Sequence, residues 1–160
     1  MPSRLRMTVD LGPATAPAQP LDGARALRPE RDREALARLM LAAYRGTVDD
    51  EGETEADALD AIGLLLAGEF GTHDGEASEV VERDGEIVAA TLLTNWDGGP
   101  FLAFSMTVPA HQRQGLARNG LARAMGRLAA RGETRLDLMV TAANDRAIAL
   151  YRSLGFVERD

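Results

Sequence analysis

The chain of 160 residues contains no cysteine and no lysine. Without cysteine there is no disulfide framework, no thiolate metal site and no cysteine nucleophile. Every basic side chain apart from histidine is arginine, and no function is drawn from that bias. Histidine occurs twice, at His73 and His111, far apart in sequence and without clustered partners, so no metal site is expected. No apolar run is long enough to span a bilayer, and no signal-type hydrophobic region opens the sequence. A cytoplasmic protein without a membrane partner is the expectation. The formal net charge of −7 argues against general nucleic-acid binding, which needs a basic face.

What is present suffices for one domain. Hydrophobic residues make up 45% of the chain, enough for a single core at this length. Charge is segregated along it. Asp49, Asp50, Glu51, Glu53, Glu55, Asp57 and Asp60 crowd one short window, while Arg113, Arg118, Arg123, Arg127 and Arg131 punctuate a later one. One acidic and one basic region suit an enzyme holding an anionic cofactor beside a cationic acceptor, although each also reads as a solvated face.

Residues 1–22 read as an N-terminal extension or linker, with Pro13, Pro17 and Pro20 among small residues. Within it Leu5, Met7, Val9 and Leu11 alternate with polar residues as a half-buried strand would. From residue 23 to 160 a brief strand at 25–28 precedes a helix opening near Pro29, and a second helix spans 55–66. A loop is expected at 71–77. Strands follow at 79–83 and 86–94 around Asp84-Gly85, a hairpin signal, and then at 101–108. A helix over 116–130, a strand over 135–141 and a helix over 144–154 complete the pattern, which is mixed α/β.

Two segments carry chemistry. An apolar run ends at Pro109, and Gln112-x-x-Gly115-x-Ala117 then leads into the helix at 116. A strand, a small-residue turn and a helix start in that order gather free backbone N–H groups and the positive helix end on one spot, which is an anion site. Arg113 and Arg118 flank it and add charge-assisted hydrogen bonds. The same glycine and alanine also fit a plain tight turn. The second segment holds Asn144, Ala147, Leu150, Tyr151, Gly155 and Phe156, with Asn144 and Tyr151 on one helix face.

Together these segments resemble the Gcn5-related N-acetyltransferase (GNAT) superfamily. Its acyl-CoA signature (Gln or Arg, two residues, Gly, one residue, Gly or Ala) matches Gln112, Gly115 and Ala117, and its later pattern of Asn, Ala and Leu-Tyr-x-x-x-Gly-Phe matches the second segment. The resemblance implies a central mixed, mostly antiparallel sheet flanked by helices, with an acyl-CoA cleft between two splayed strands. It implies transfer of an acetyl group from acetyl-CoA to a primary amine by direct attack, the acceptor being a small molecule, a peptide N-terminus or a protein lysine. A non-catalytic CoA-binding or regulatory module on the same fold is the alternative. A mononucleotide-binding protein is disfavoured, since no Gly-Lys-Ser or Gly-Lys-Thr follows the turn.

Carried over residue by residue, the backbone of Arg113, Gln114, Gly115, Leu116, Ala117 and Arg118 would hold the pyrophosphate, with Gln112 bracing the loop. Main-chain groups of Met106, Thr107 and Val108 would pair with the pantetheine arm as an added strand does. Asn144 would contact the pantetheine, and also reads as a plain helix N-cap. Tyr151 would protonate the departing thiolate, and also reads as an ordinary core residue. A phenol of pKa about 10 is a suitable donor to a thiolate of pKa about 8.5. Glu53 is the candidate base, with Asp49 and Asp50 beside it, and the acceptor is expected to be cationic. In the family two strands follow the last helix, yet here the sequence stops soon after Gly155. The final strand is then either absent or replaced, and residues 4–11 are the expected replacement, in the same chain or across a homodimer.

Overall fold

The computed structural model describes residues 3–159. The elements run β1 (Arg4–Asp10), β2 (Ala24–Ala26), α1 (Pro29–Tyr44), α2 (Glu55–Leu66), β3 (Thr72–His73), β4 (Glu79–Arg83), β5 (Glu86–Trp96), β6 (Gly99–Thr107), a 3₁₀ turn at Pro109–His111, α3 (Leu116–Ala130), β7 (Arg135–Thr141), α4 (Asp145–Ser153) and β8 (Val157–Arg159). Local chemistry explains several bounds. Pro29 opens α1, where its missing N–H costs nothing. Thr54 and Asp57 close a reciprocal capping box at the start of α2. Asp84-Gly85 and Asp97-Gly98 both adopt positive φ, the geometry of tight hairpin turns joining β4 to β5 and β5 to β6.

The sheet has the order β2-β4-β5-β6-β7-β1-β8, and β3 pairs with β5. All pairs are antiparallel except β6 with β7. That parallel pair holds only at Phe101↔Asp137 and Leu102↔Leu138. Beyond these positions the two strands part toward Thr107 and Thr141, which opens a cleft between their C-terminal ends. Helices α1 and α2 bury Leu36, Leu39, Ile62 and Leu65 against Val80 and Leu92 on one face. On the other face, α3 and α4 bury Leu121, Leu128 and Ile148 against Met7, Leu136 and Leu138.

Two segments depart from the sequence reading. The expected loop at 71–77 contains β3, because Gly71 at φ +94° lets the backbone approach Asn95 of β5 closely. A side chain there would meet the Asn95 carbonyl. The end of the sheet is also rearranged. β8 does form after α4, and β1 lies between β7 and β8, pairing Arg4↔Thr141 through Asp10↔Arg135 on one side and Arg6↔Arg159 through Thr8↔Val157 on the other. The alternating N-terminal segment thus supplies the strand that would otherwise be missing, within the same chain. From β1 the chain crosses α3, where Gly126 leaves room for the backbone of Ala16, Pro17 and Ala18, and continues to β2 at the opposite sheet edge.

Candidate active site

Beside the end of β6 lies a cleft of about 320 Å³, closed by the turn into α3, by α4 and by the end of α1. The first bond inside α3 runs from the Asn119 N–H to the Gly115 carbonyl at 2.8 Å. The N–H groups of Leu116, Ala117 and Arg118 therefore have no acceptor within the helix. Gly115 precedes them at φ +77° and contributes no side-chain cap. Arg113 also has a positive φ of 65°, a conformation that a long side chain rarely takes. No acidic residue stands in the first turn of α3, whereas Arg118 does, against the preference of the positive helix end. This end of the cleft favours an anion.

Gln112 ties the loop to both neighbouring elements. Its Nε2 donates to the Thr107 carbonyl at 3.2 Å, and Arg146 donates to its Oε1 at 3.0 Å. Met106 and Thr107 line the cleft beside the loop, and Val108 packs behind it in the core. The Thr107 hydroxyl is buried there with no hydrogen-bond partner among the described residues.

At the other end stand Tyr151, Tyr44 and Asp49, which line the cleft and also a second cavity of about 450 Å³ between the splayed ends of β6 and β7. Asp49 is fixed by two donors, the Thr141 hydroxyl at the end of β7 at 2.6 Å and Nδ2 of Asn144, the N-cap of α4, at 3.3 Å. Asn144 accepts from the Ala147 N–H at 3.1 Å with its other side-chain atom, so it caps α4 and holds Asp49 together. Tyr151 is 9% exposed. Burial, reinforced by the nearby Asp49 charge, pushes its hydroxyl up to about 12. Burial and the neighbouring Tyr151 raise Tyr44 further still.

Glu53 is placed differently from Asp49. Its carboxylate accepts the Glu51 N–H at 3.1 Å, and with Glu51 and Asp57 it lines the second cavity but not the cleft. Asp50 caps its own loop, accepting from the Gly46 and Gly52 N–H groups at 2.8 and 2.9 Å. Tyr44, Ser105, His111 and Arg146 also line the cleft, and the sequence reading assigned none of them to it. Their only local signal is position: the end of α1, the strand before the loop, the loop itself and the first turn of α4. Among the described residues no group of three or more His, Asp or Glu side chains converges on a metal position.

Comparison with known proteins agrees with this geometry. The Acetyltransferase (GNAT) family profile matches residues 33–156. An acetyltransferase of Sodalis glossinidius is 32% identical over 89 residues, covering 55% of this chain and 62% of that protein. A GCN5-related N-acetyltransferase structure from Sphaerobacter thermophilus superposes with a TM-score of 0.74 at 20% identity over 99% of this chain, which covers 50% of that one. The ribosomal-protein-S18-alanine N-acetyltransferase of Escherichia coli superposes with a TM-score of 0.69 at 26% identity, covering 88% of this chain and 80% of its own. This chain thus spans half to two thirds of the length of the first two relatives. By sequence profile and by fold, the chain belongs to the acetyltransferase (GNAT) family.

Proposed function

We propose that this chain transfers an acetyl group from acetyl-CoA to a primary amine. The observation that carries the reading is one continuous cleft with an anion-favouring helix end at one extremity and a buried tyrosine beside a fixed carboxylate at the other. The Arg113–Arg118 backbone and its two arginines would hold the pyrophosphate, and the edge of β6 at Met106 to Val108 would pair with the amides of the pantetheine arm. The orphaned Thr107 hydroxyl offers that arm a further hydrogen bond.

The amine nitrogen attacks the thioester carbonyl carbon, the C–S bond breaks, and the thiolate leaves with a proton. Asp49 serves as the base better than Glu53. Its oxygens are anchored where both cavities meet, while Glu53 stabilises its own loop. Tyr151 is in its protonated, donor form at neutral pH, as any phenol is, and burial tightens its hold on the proton. A cationic amine bound at Asp49 cancels part of the charge that raises Tyr151, which brings the phenol's pKa nearer to that of the thiolate it must protonate. Asp49, Glu51, Glu53 and Asp57 on the acceptor side favour that cation.

Thiol release measured with acetyl-CoA and a panel of amines tests the reading. Turnover with cationic amines is expected. Saturable CoA binding with no thiol release across the panel overturns it in favour of a non-catalytic CoA-binding module.

A further inference from the structure

The acceptor cavity does not end at its acidic wall. It shares Arg4, Leu102, Phe104 and Met139 with a third cavity of about 400 Å³, which runs beneath the β5–β6 hairpin tip over the β7–β1 half of the sheet. The groove lies on the sheet face that carries α1 and α2, beside the strands β5 and β6 on which α1 packs. Two of the large apolar residues exposed there are Trp96 at 48% and Met139 at 39%. Trp96 lies 6.3 Å from Phe101 in a tilted aromatic pair, forming one wall of the groove.

The charges in the groove are almost all matched. Asp137 accepts from Arg6 at 2.5 Å and pairs with Arg135 at 3.2 Å, and Asp97 stands near Arg6. Arg4 takes no part in that cluster, although it lines both cavities. Its position in the sheet is informative. Arg4 lies directly opposite Thr141, the residue whose hydroxyl holds Asp49. Directly opposed residues share a face with their Cβ atoms about 5 Å apart. A carboxylate that attracts an ammonium and a guanidinium with no acidic partner among the described residues therefore stand one cross-strand step from each other, at the mouth of an aromatic groove.

Resting on the acetyl-transfer reading, we infer that the acceptor is a polypeptide amine with an acidic residue one to three places from the amine. The amine enters at Asp49, the acidic side chain pairs with Arg4, and the following residues lie along the groove against Trp96 and Phe101. A small polyamine would satisfy the acidic wall and leave Arg4 and the groove without a partner. A polypeptide satisfies all three.

Trp96 is the sole tryptophan of the chain, so its emission reports on the groove independently of turnover. Short peptides carrying glutamate, glutamine or lysine after a free N-terminal amine would be titrated against the full chain and assayed for acetyl transfer. N-terminally blocked peptides with an internal lysine form a second arm that separates an α-amine from an ε-amine. The chain has no lysine of its own to give background in that arm. Glutamate peptides should change Trp96 emission saturably and bind and react about tenfold better than lysine peptides, as expected for one charge-assisted contact. Arg4→Glu should reverse that order, and Arg4→Gln should flatten it, with melting temperatures confirming that both variants fold.

Thiol release with small amines, but no response of Trp96 to any peptide and no charge order, overturns this inference and leaves acetyl transfer standing. A charge-ordered Trp96 response without thiol release from any amine sustains the groove and overturns acetyl transfer instead.

Discussion

Tyr151 combines two properties that usually exclude each other in a core residue. Its ring packs 5.8 Å from that of Phe156, and its hydroxyl reaches the cleft beside Asp49. Removing only the hydroxyl separates the two. Tyr151→Phe should leave the melting temperature and CoA affinity nearly unchanged while slowing acetyl transfer by about a hundredfold or more, the range for loss of a positioned proton donor. Binding by calorimetry and turnover by thiol release check the two halves. Full turnover in the variant would assign the proton to water. Asp49 illustrates the limits of reading one residue type from sequence. Three nearby carboxylates are equivalent along the chain, and hydrogen bonds from Thr141 and Asn144, remote in sequence, distinguish one of them.

At the scale of single elements, α3 carries the anion-binding end and is itself held by what crosses it. A Cβ at Gly126 would stand 2.6 Å from the Ala18 nitrogen and 2.7 Å from the Ala16 carbonyl oxygen, backbone atoms that cannot swing aside. Alanine in a helix interior normally gains about 1 kcal/mol over glycine, but this clash is of the overpacking kind that costs about 1–3 kcal/mol. Gly126→Ala should therefore lower the urea midpoint and expose residues 12–22 to proteolysis. At Gly63 of α2 the nearest obstacle is the flexible end of Arg33. Gly63→Ala should shift the midpoint the other way.

The middle of α3 is anchored by charge. Glu79 of β4 is 5% exposed and accepts from Arg123 at 2.9 Å and Arg127 at 2.5 Å. Glu79→Ala would leave two arginines without their buried partner, a loss of about 3 kcal/mol or roughly 10 °C in melting temperature, read by thermal unfolding.

Across the whole molecule, such pairs set the response to acid. Burial pushes Asp74, Glu79 and Asp137 up, and their arginine partners outweigh it and hold each below its ordinary value. Arg25 lowers Asp32 directly through hydrogen bonds at 2.8 and 2.9 Å. Carboxylates with depressed values stabilise the fold above their unfolded pKa, and that stability disappears as pH falls through the folded value. Burial lowers the pKa of His73, so urea midpoints should fall slightly as pH drops below about 6.5, and steeply below about pH 4 as these carboxylates protonate. In Glu79→Ala the acid slope should be shallower.

Much of this fold was legible along the chain because its signals are local. Asp84-Gly85 marks the β4–β5 hairpin, and Gly115 before Leu116 marks the start of α3. Asn144 and Tyr151 share a face through helical spacing alone. Their neighbours in space had no such signal. Tyr44 reaches the site because α1 ends at the splay, and Arg146 reaches it through Gln112. Alternation from Leu5 to Leu11 announces a strand, since period two is a property of each residue and its next neighbours. It carries no information on which edge that strand joins. Insertion of β1 between β7 and β8, and the meeting of Arg4 with the Asp49 anchor, depend on a register between segments more than a hundred residues apart. Pairing at that distance is set by burial of Met7 and Val9 against Leu136 and Leu138, a contact that exists only once the sheet has closed over its core.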